Sequence, residues 1–231
     1  KDELIDLLIF KSSKEDKYVT LKEYVERMKE DQKDIYYATG ETIEAIKELP
    51  QLEKVLDKGY EVLYFTDNVD EFMANIIGNY SDKPFKSLLQ GDLDLDTKEE
   101  KEEVEKKAND NKDLLATLKE ELKDKVSDVK LSTRLKTSPV CLVSDDGISI
   151  NMAKTLNAMN QGNIQANKIL EINPDHELFK ALAKVYETNK DLSEYANLLY
   201  DQALLIAGLT IEDPLAYTKR VSDLMLKALE R

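Results

Sequence analysis

The chain has 231 residues, 42% of them apolar, which is enough for two ordinary domains with real cores. Its 47 acidic against 33 basic side chains leave a formal charge of −14, which repels phosphate backbones and anionic lipid heads and argues against nucleic acid or a membrane surface as partner. No apolar run has bilayer-spanning length and no basic-then-apolar leader is visible, so the expected setting is the cytoplasm, with the single cysteine, Cys141 in "PVCLV", a small buried hydrophobe.

The chain starts at Lys1 and enters the strand-like "LIDLLIF" at once, which reads as a piece of something longer. From residue 18 to about 90, helices and strands alternate. In "VTLKEYVERMKE", Thr20 is the N-cap, Glu23 its capping-box partner, and Val19 staples onto Tyr24. "DIYYA" is β-prone. Thr42 to Leu49 and Leu52 to Lys58 read as helices broken at Pro50, with Gly59 as a C-terminal cap. "YEVLYF" is an apolar strand, Thr66 or Asp67 caps the helix "NVDEFMANIIGNY", and "PFKSLL" returns as a strand. Such alternation implies a parallel or mixed α/β sheet.

Residues 91 to 113 lose their apolar anchors, and the domain boundary is placed there: 1–96 as one domain, 97–231 as the next. The stretch reads as a solvated linker entering a helix whose buried face is Leu114, Leu115, Leu118 and Leu122. "VSDVKLS" and "VCLVS" are strands. "GISINMAKTLNAMNQ", residues 147–161, then sets Ile148, Met152, Leu156 and Met159 on one helical face. Asn173 and Pro174 are read as N-cap and first residue of a helix carrying Leu178, Phe179, Leu182 and Tyr186. Of the last two helices, one is capped by Asp191 with Glu194 and ends at Gly208; the other starts at Asp213-Pro214. "ALLIA" in the first is apolar all round and the second carries Tyr217, Val221, Leu224 and Ala228 on one stripe, a pattern that fits either a bundle completed by another subunit or a monomer core.

Catalytic equipment is sparse. The seven glycines form no phosphate-binding cluster, and there is no Gly-x-Ser-x-Gly elbow. The one histidine, His176, reads as a helix-end residue and cannot by itself make a histidine metal site. Asp92, Asp94, Asp96 and Glu103 have EF-hand spacing, but the position that requires glycine is Thr97, so no metal site is expected.

Several long stretches resemble the heat-shock protein 90 chaperones: "LLIFKSSK", "LKEYVERMKEDQKDIYYATGE", "LEKVLDKGYEVLYFTDNVDEF", "LSTRLKTSPVCLV", "LEINPDH" and "LYDQALLIAGLTIEDPLAYTKRV", in the family's order and over nearly the whole chain. The absence of insertions and of an acidic C-terminal peptide resembles the family's bacterial branch. The resemblance implies the end of an α/β middle domain followed by an α+β C-terminal domain ending in a helical dimerisation bundle. It implies an ATP-dependent chaperone whose nucleotide-binding domain and catalytic arginine lie upstream of Lys1, so that this part is no enzyme and holds no cofactor, ATP and magnesium serving the intact parent.

By the same resemblance the last two helices form an intersubunit four-helix bundle, with Leu198, Leu205, Tyr217, Val221, Leu224 and Ala228 in or beside the interface. Residues 147–161 take the place of a mobile amphipathic helix facing the dimer cleft. Asp70-Glu71-Phe72 matches an Asp-Glu-aromatic client site, with Phe72 in place of the tryptophan of some relatives. The implied client-binding residues are thus Ile148, Met152, Leu156, Met159, Glu71 and Phe72, and the implied partners a second copy, non-native clients and other chaperones. Periodicity alone reads the methionine stripe as core; the resemblance reads it as exposed. An α/β ligand-binding or enzymatic domain fused to a helical oligomerisation module stands as the alternative, without a convergent polar constellation behind it.

Overall fold

In the computed structural model, which describes residues 5–15, 17–159 and 162–230, the run "IYYAT" forms a strand, β3 (Ile35–Thr39), with every residue buried. It pairs in parallel with β4 (Val62–Phe65) on one side and β6 (Lys83–Ser87) on the other. β1 (Ile9–Ser12) joins β4 antiparallel, β2 (Val19–Thr20) joins β1, and β5 (Asn79–Tyr80) joins β6, giving the order β2-β1-β4-β3-β6-β5. Of the strand expected from "LIDLLIF", only Ile9 and Phe10 lie in β1, and Leu4 lies outside the described residues.

Parallel strands need crossovers that cover both faces of the sheet, and the alternation of side chains supplies an apolar surface for each. Tyr36, Ala38, Val62 and Tyr64 pack on one face with Ile46, Leu49, Leu52 and Val55. These come from α2 (Ile43–Lys47), a 3-10 turn at Pro50–Leu52, and α3 (Glu53–Asp57). Ile35, Tyr37, Leu63 and Phe65 face the other way, against Leu21 and Tyr24 of α1 (Leu21–Glu26) and Ala74 of α4 (Asp70–Ile77). Tyr37 stacks on Phe65 with ring centroids 4.5 Å apart.

Local signals held at several ends. Thr20 and Glu23 make the expected reciprocal capping box, Thr42 caps α2 through the Ala45 amide, and Gly59 takes φ 71°. At α4 the outcome differs: the helix starts after Val69 with no side-chain cap, and neither Thr66 nor Asp67 serves. The Asp70 carboxylate instead reaches back to accept from the Asp67 amide at 3.1 Å, which occupies the turn.

The chain forms two compact units, Lys1–Asp96 with Val143–Asn167, and Thr97–Leu142 with Lys168–Arg231. Beside the single break read from the sequence after residue 96, the chain therefore crosses twice more.

In the second unit the charged stretch is not only a linker. Thr97 and Glu100 form a capping box, and α5 (Lys98–Asp110) follows with no buried residue, its lysines and glutamates paired along the surface as in Lys107 with Glu103 at 2.7 Å. α6 (Lys112–Glu121) buries Leu114 and Leu118, with Leu122 buried just beyond and Leu115 half-buried. β7 (Asp128–Leu131) pairs in parallel with β9 (Lys168–Ile172), and β8 (Val140–Ser144) flanks β9. β9 has no counterpart among the expected strands because Lys168 and Glu171 interrupt its apolar run. Glu171 is nevertheless buried: Arg134 bonds it through Nε at 2.9 Å and Nη2 at 3.1 Å, and the Ser132 hydroxyl donates at 2.7 Å.

α8 (Glu177–Thr188) begins three residues later than expected. Its cap is His176, whose Nδ1 accepts from the Leu178 amide, while Asn173 Oδ1 accepts from the Asp175 amide and Asn173 Nδ2 donates to the Ser138 carbonyl. α9 (Ser193–Ile206) starts at Leu192 without a side-chain cap, Asp191 accepting from the Ser193 amide just before it; α10 (Pro214–Leu229) starts as expected from Asp213, which accepts from the Ala216 amide. Among the described residues no helix is long and apolar enough to cross a membrane.

Removing one member of a buried ion pair strands the other in a dry site. Glu171→Ala is expected to lower the unfolding free energy by about 3–5 kcal/mol, read from denaturant melts. Lys130→Ala, which removes a longer and partly exposed contact to the same carboxylate, should cost less than about 1 kcal/mol.

Candidate interaction surfaces

Of the stripe expected on one helix over 147–161, Met152 and Leu156 lie in α7 (Ile150–Ala158), Ile148 precedes its N-cap Ser149 and Met159 is its C-cap; α7 belongs to the first unit. Ser149 is its N-cap: the hydroxyl accepts from the Met152 amide at 2.9 Å and donates to Glu71 Oε2 at 2.8 Å. Asn151 Nδ2 donates to the same oxygen at 3.3 Å. Asn75 Nδ2 meets Met152 Sδ at 3.2 Å, and Lys154 reaches Glu41 at 2.7 Å on the surface. Beyond the helix, the Asn157 side chain bonds both the carbonyl and the amide of Ile164.

The face turned inward is Ala153 and Thr155 rather than the stripe. Ile148, Met152 and Leu156 are half-buried, and Met159 is exposed at 54%. The stripe thus lies along the margin of the packed face. Residues 160 and 161 of the segment read from the sequence lie outside the described residues. Phe72 is half-buried, whereas Glu71 is 1% exposed, and burial raises its carboxyl above the ordinary range against the opposing effect of the Ser149 and Asn151 bonds.

The stretch leading into α7 is held by Gly91, whose amide donates to the Ser144 carbonyl at 2.9 Å; a Cβ on Gly91 would sit 2.0 Å from Asp146 Oδ1. Its φ is 49°, a region that costs an L residue energy. Gln90 Nε2 adds a bond to the Gly147 carbonyl at 3.1 Å.

The second surface is the C-terminal helix pair. α9 buries Ala196, Leu198, Leu199, Tyr200, Ala203 and Leu204, while α10 buries nothing. Leu205, Leu224, Met225, Leu226 and Leu229 stand exposed, the last at 81%. Tyr217 and Val221 are half-buried, and Ala228 is exposed. Arg220 ties the two helices through a 3.1 Å pair with Asp201, whose carboxyl burial raises and Lys125 and Arg220 draw back down. Of the six residues assigned to the interface, Leu198 alone is buried within the chain; the others leave a contiguous apolar face open, far more than scattered surface leucines would.

The sequence matches the family described as "Hsp90 protein" over residues 1–231. The chain belongs to the Hsp90 family. It is 51% identical over 228 residues to "Chaperone protein HtpG" of Bacillus subtilis (strain 168), which covers 98% of this chain. It is 53% identical to the proteins of that name from Clostridium botulinum (strain Loch Maree / Type A3), over 227 residues, and Clostridium perfringens (strain ATCC 13124), over 228, each covering 97% of this chain. The chain spans 36% of the length of each of these relatives.

Within this Hsp90 chain, the residues named from the sequence for the two candidate surfaces include Glu71 but not Ser149, Asn151 or Gly91, which hold α7 and the stretch before it. Ser149, Asn151 and Gly91 carried no periodicity; Ser149 could have been found as a serine directly before an apolar-periodic run. Gly91→Ala is expected to destabilise the first unit by about 1–2 kcal/mol through its left-handed φ and the displacement of Asp146, as a lowered unfolding midpoint.

Proposed function

We propose that this chain is the dimerising and client-holding part of an ATP-dependent molecular chaperone that works in the cytoplasm. The observation that carries the reading is the open apolar face of α10, which a single copy leaves in water and a second copy would cover. Leu198, Leu205, Tyr217, Val221, Leu224 and Ala228 would form that homodimer interface, with Ala228 small enough to let helices approach closely.

The stripe of Ile148, Met152, Leu156 and Met159, with Phe72, would meet non-native clients. Methionine suits the task because it is flexible and polarizable and adapts to varied surfaces. Two copies in a dimer would raise the effective concentration of the grip. Other chaperones would be further partners. ATP and magnesium would act in the parent outside this chain: its seven glycines are dispersed, and no run of them offers a phosphate cradle. Neither nucleic acid nor membrane is proposed as partner, given the charge of −14.

The mass in solution across a dilution series tests the dimer. Leu205→Ala with Leu224→Ala should shift the chain toward monomer at micromolar concentration, each leucine contributing about 2–5 kcal/mol if buried between subunits; an unchanged mass would sink the assignment. For the client surface, Met159→Asp should leave the unfolding free energy within about 0.5 kcal/mol, because the side chain is exposed, while suppression of client aggregation falls.

A further inference from the structure

Among the described residues, four side-chain contacts tie α7 and its N-cap to the part of the unit before residue 97, and they are unequal. Lys154 with Glu41 is a surface pair, which solvent screens. Asn75 meets only a thioether sulfur, a weak acceptor. Asn151 is at the long end of hydrogen-bond distance. The short bond that is also buried is between Glu71 and the N-cap hydroxyl of Ser149, both 1–2% exposed. A carboxylate at the start of a helix is favoured by the unpaired amides there, and here it acts through the residue that caps them.

The anchor is also incomplete. Among the described residues, Glu71 Oε1 is buried with no hydrogen-bond partner. The groups that bond the carboxyl are neutral, Ser149 and Asn151 from α7. The Tyr37 hydroxyl faces it from β3 and is itself raised by burial and then by Glu71; Asp70, the neighbouring acid on α4, is raised by burial and by Asp67. A charged carboxylate with one unsatisfied oxygen in a dry site costs more than the neutral acid does. Beyond α7, Gly162 takes φ 112°, a conformation open to glycine.

We propose that Glu71 is a positioning residue which holds α7 through its N-cap serine and so sets how far the Met152–Met159 stripe is offered to a partner, without contacting that partner itself. The functional half of this rests on the client-holding reading of the stripe. The direction of the pH effect follows from burial. Glu71 gains its proton more readily with α7 docked than with α7 released into water, so docking is strongest at acid pH and weakens as pH rises through the raised value.

The test is hydrogen exchange of the α7 amides in the whole 231-residue chain, as protection factors from about pH 5 to about pH 8, with β3 amides as the folding control. Glu71→Ala should lower α7 protection about tenfold, the scale of one lost hydrogen bond to a charged group. In a Ser149→Ala background it should have little further effect. Glu71→Gln, which keeps the shape, should retain protection and lose the pH slope of the native chain. Independent effects of the two substitutions, or an undiminished slope in Glu71→Gln, would overturn the proposal. Aggregation suppression separates it from the client reading. Loosened α7 with unchanged client holding keeps the anchor and removes the client surface. Weakened holding with α7 protection unchanged makes Glu71 a direct contact and removes the anchor.

Discussion

Two adjacent parallel strands buried on both faces, β3 and β4, constrain the first unit more than any other feature. All nine of their residues are buried, so each face must be roofed, and each roof must come from the connections between strands. α2, the 3-10 turn and α3 roof one side on the way from β3 to β4, and α4 covers the other on the way to β6. The Tyr24 hydroxyl binds the sheet to α1 by donating to the Glu61 carbonyl and accepting from the Tyr36 amide and Gln32. α4, required by the sheet, is therefore also the element that places Glu71 and Asn75 against α7.

In the second unit a polar interaction plays the equivalent part. β9 carries Glu171 inward, and the chain after β7 turns back so that Ser132 and Arg134 meet it. Such a pair contributes less to stability than it does to register, since a strand shifted by one residue would leave both charges dry and unpaired. The apolar helices behind it are then free to be asymmetric: α9 buries three of its four leucines within the chain and α10 leaves its own outside.

The two candidate surfaces differ in kind. The α10 face is large, contiguous and built of leucine and methionine on a regular helix, which suits a self-complementary partner of fixed shape. The α7 margin is smaller, half-buried and flanked by polar amides, which suits transient contact. Membership of the Hsp90 family is consistent with the proposed division between assembly and grip, and the chain spans 36% of the length of the relatives it matches.

The sequence by itself determined the alternation of elements, the β-prone run "DIYYA", the capping box at Thr20, the cap at Asp213, and the excess of apolar residues near the C-terminus, because each depends on residues a few positions apart. Its long motifs also carried the family. The start of α4, the cap of α8 and the strand β9 were not legible, since Asp70, His176 and Glu171 take their roles from partners or geometry that local preference does not rank. Only the tertiary structure decided that residues 143–167 fold with the first unit and that the stripe lies at a margin. Those outcomes rest on Glu71 meeting Ser149 across 78 positions, and on Gly91 leaving room for Asp146, where a single side-chain atom settles what no spacing in the chain could express.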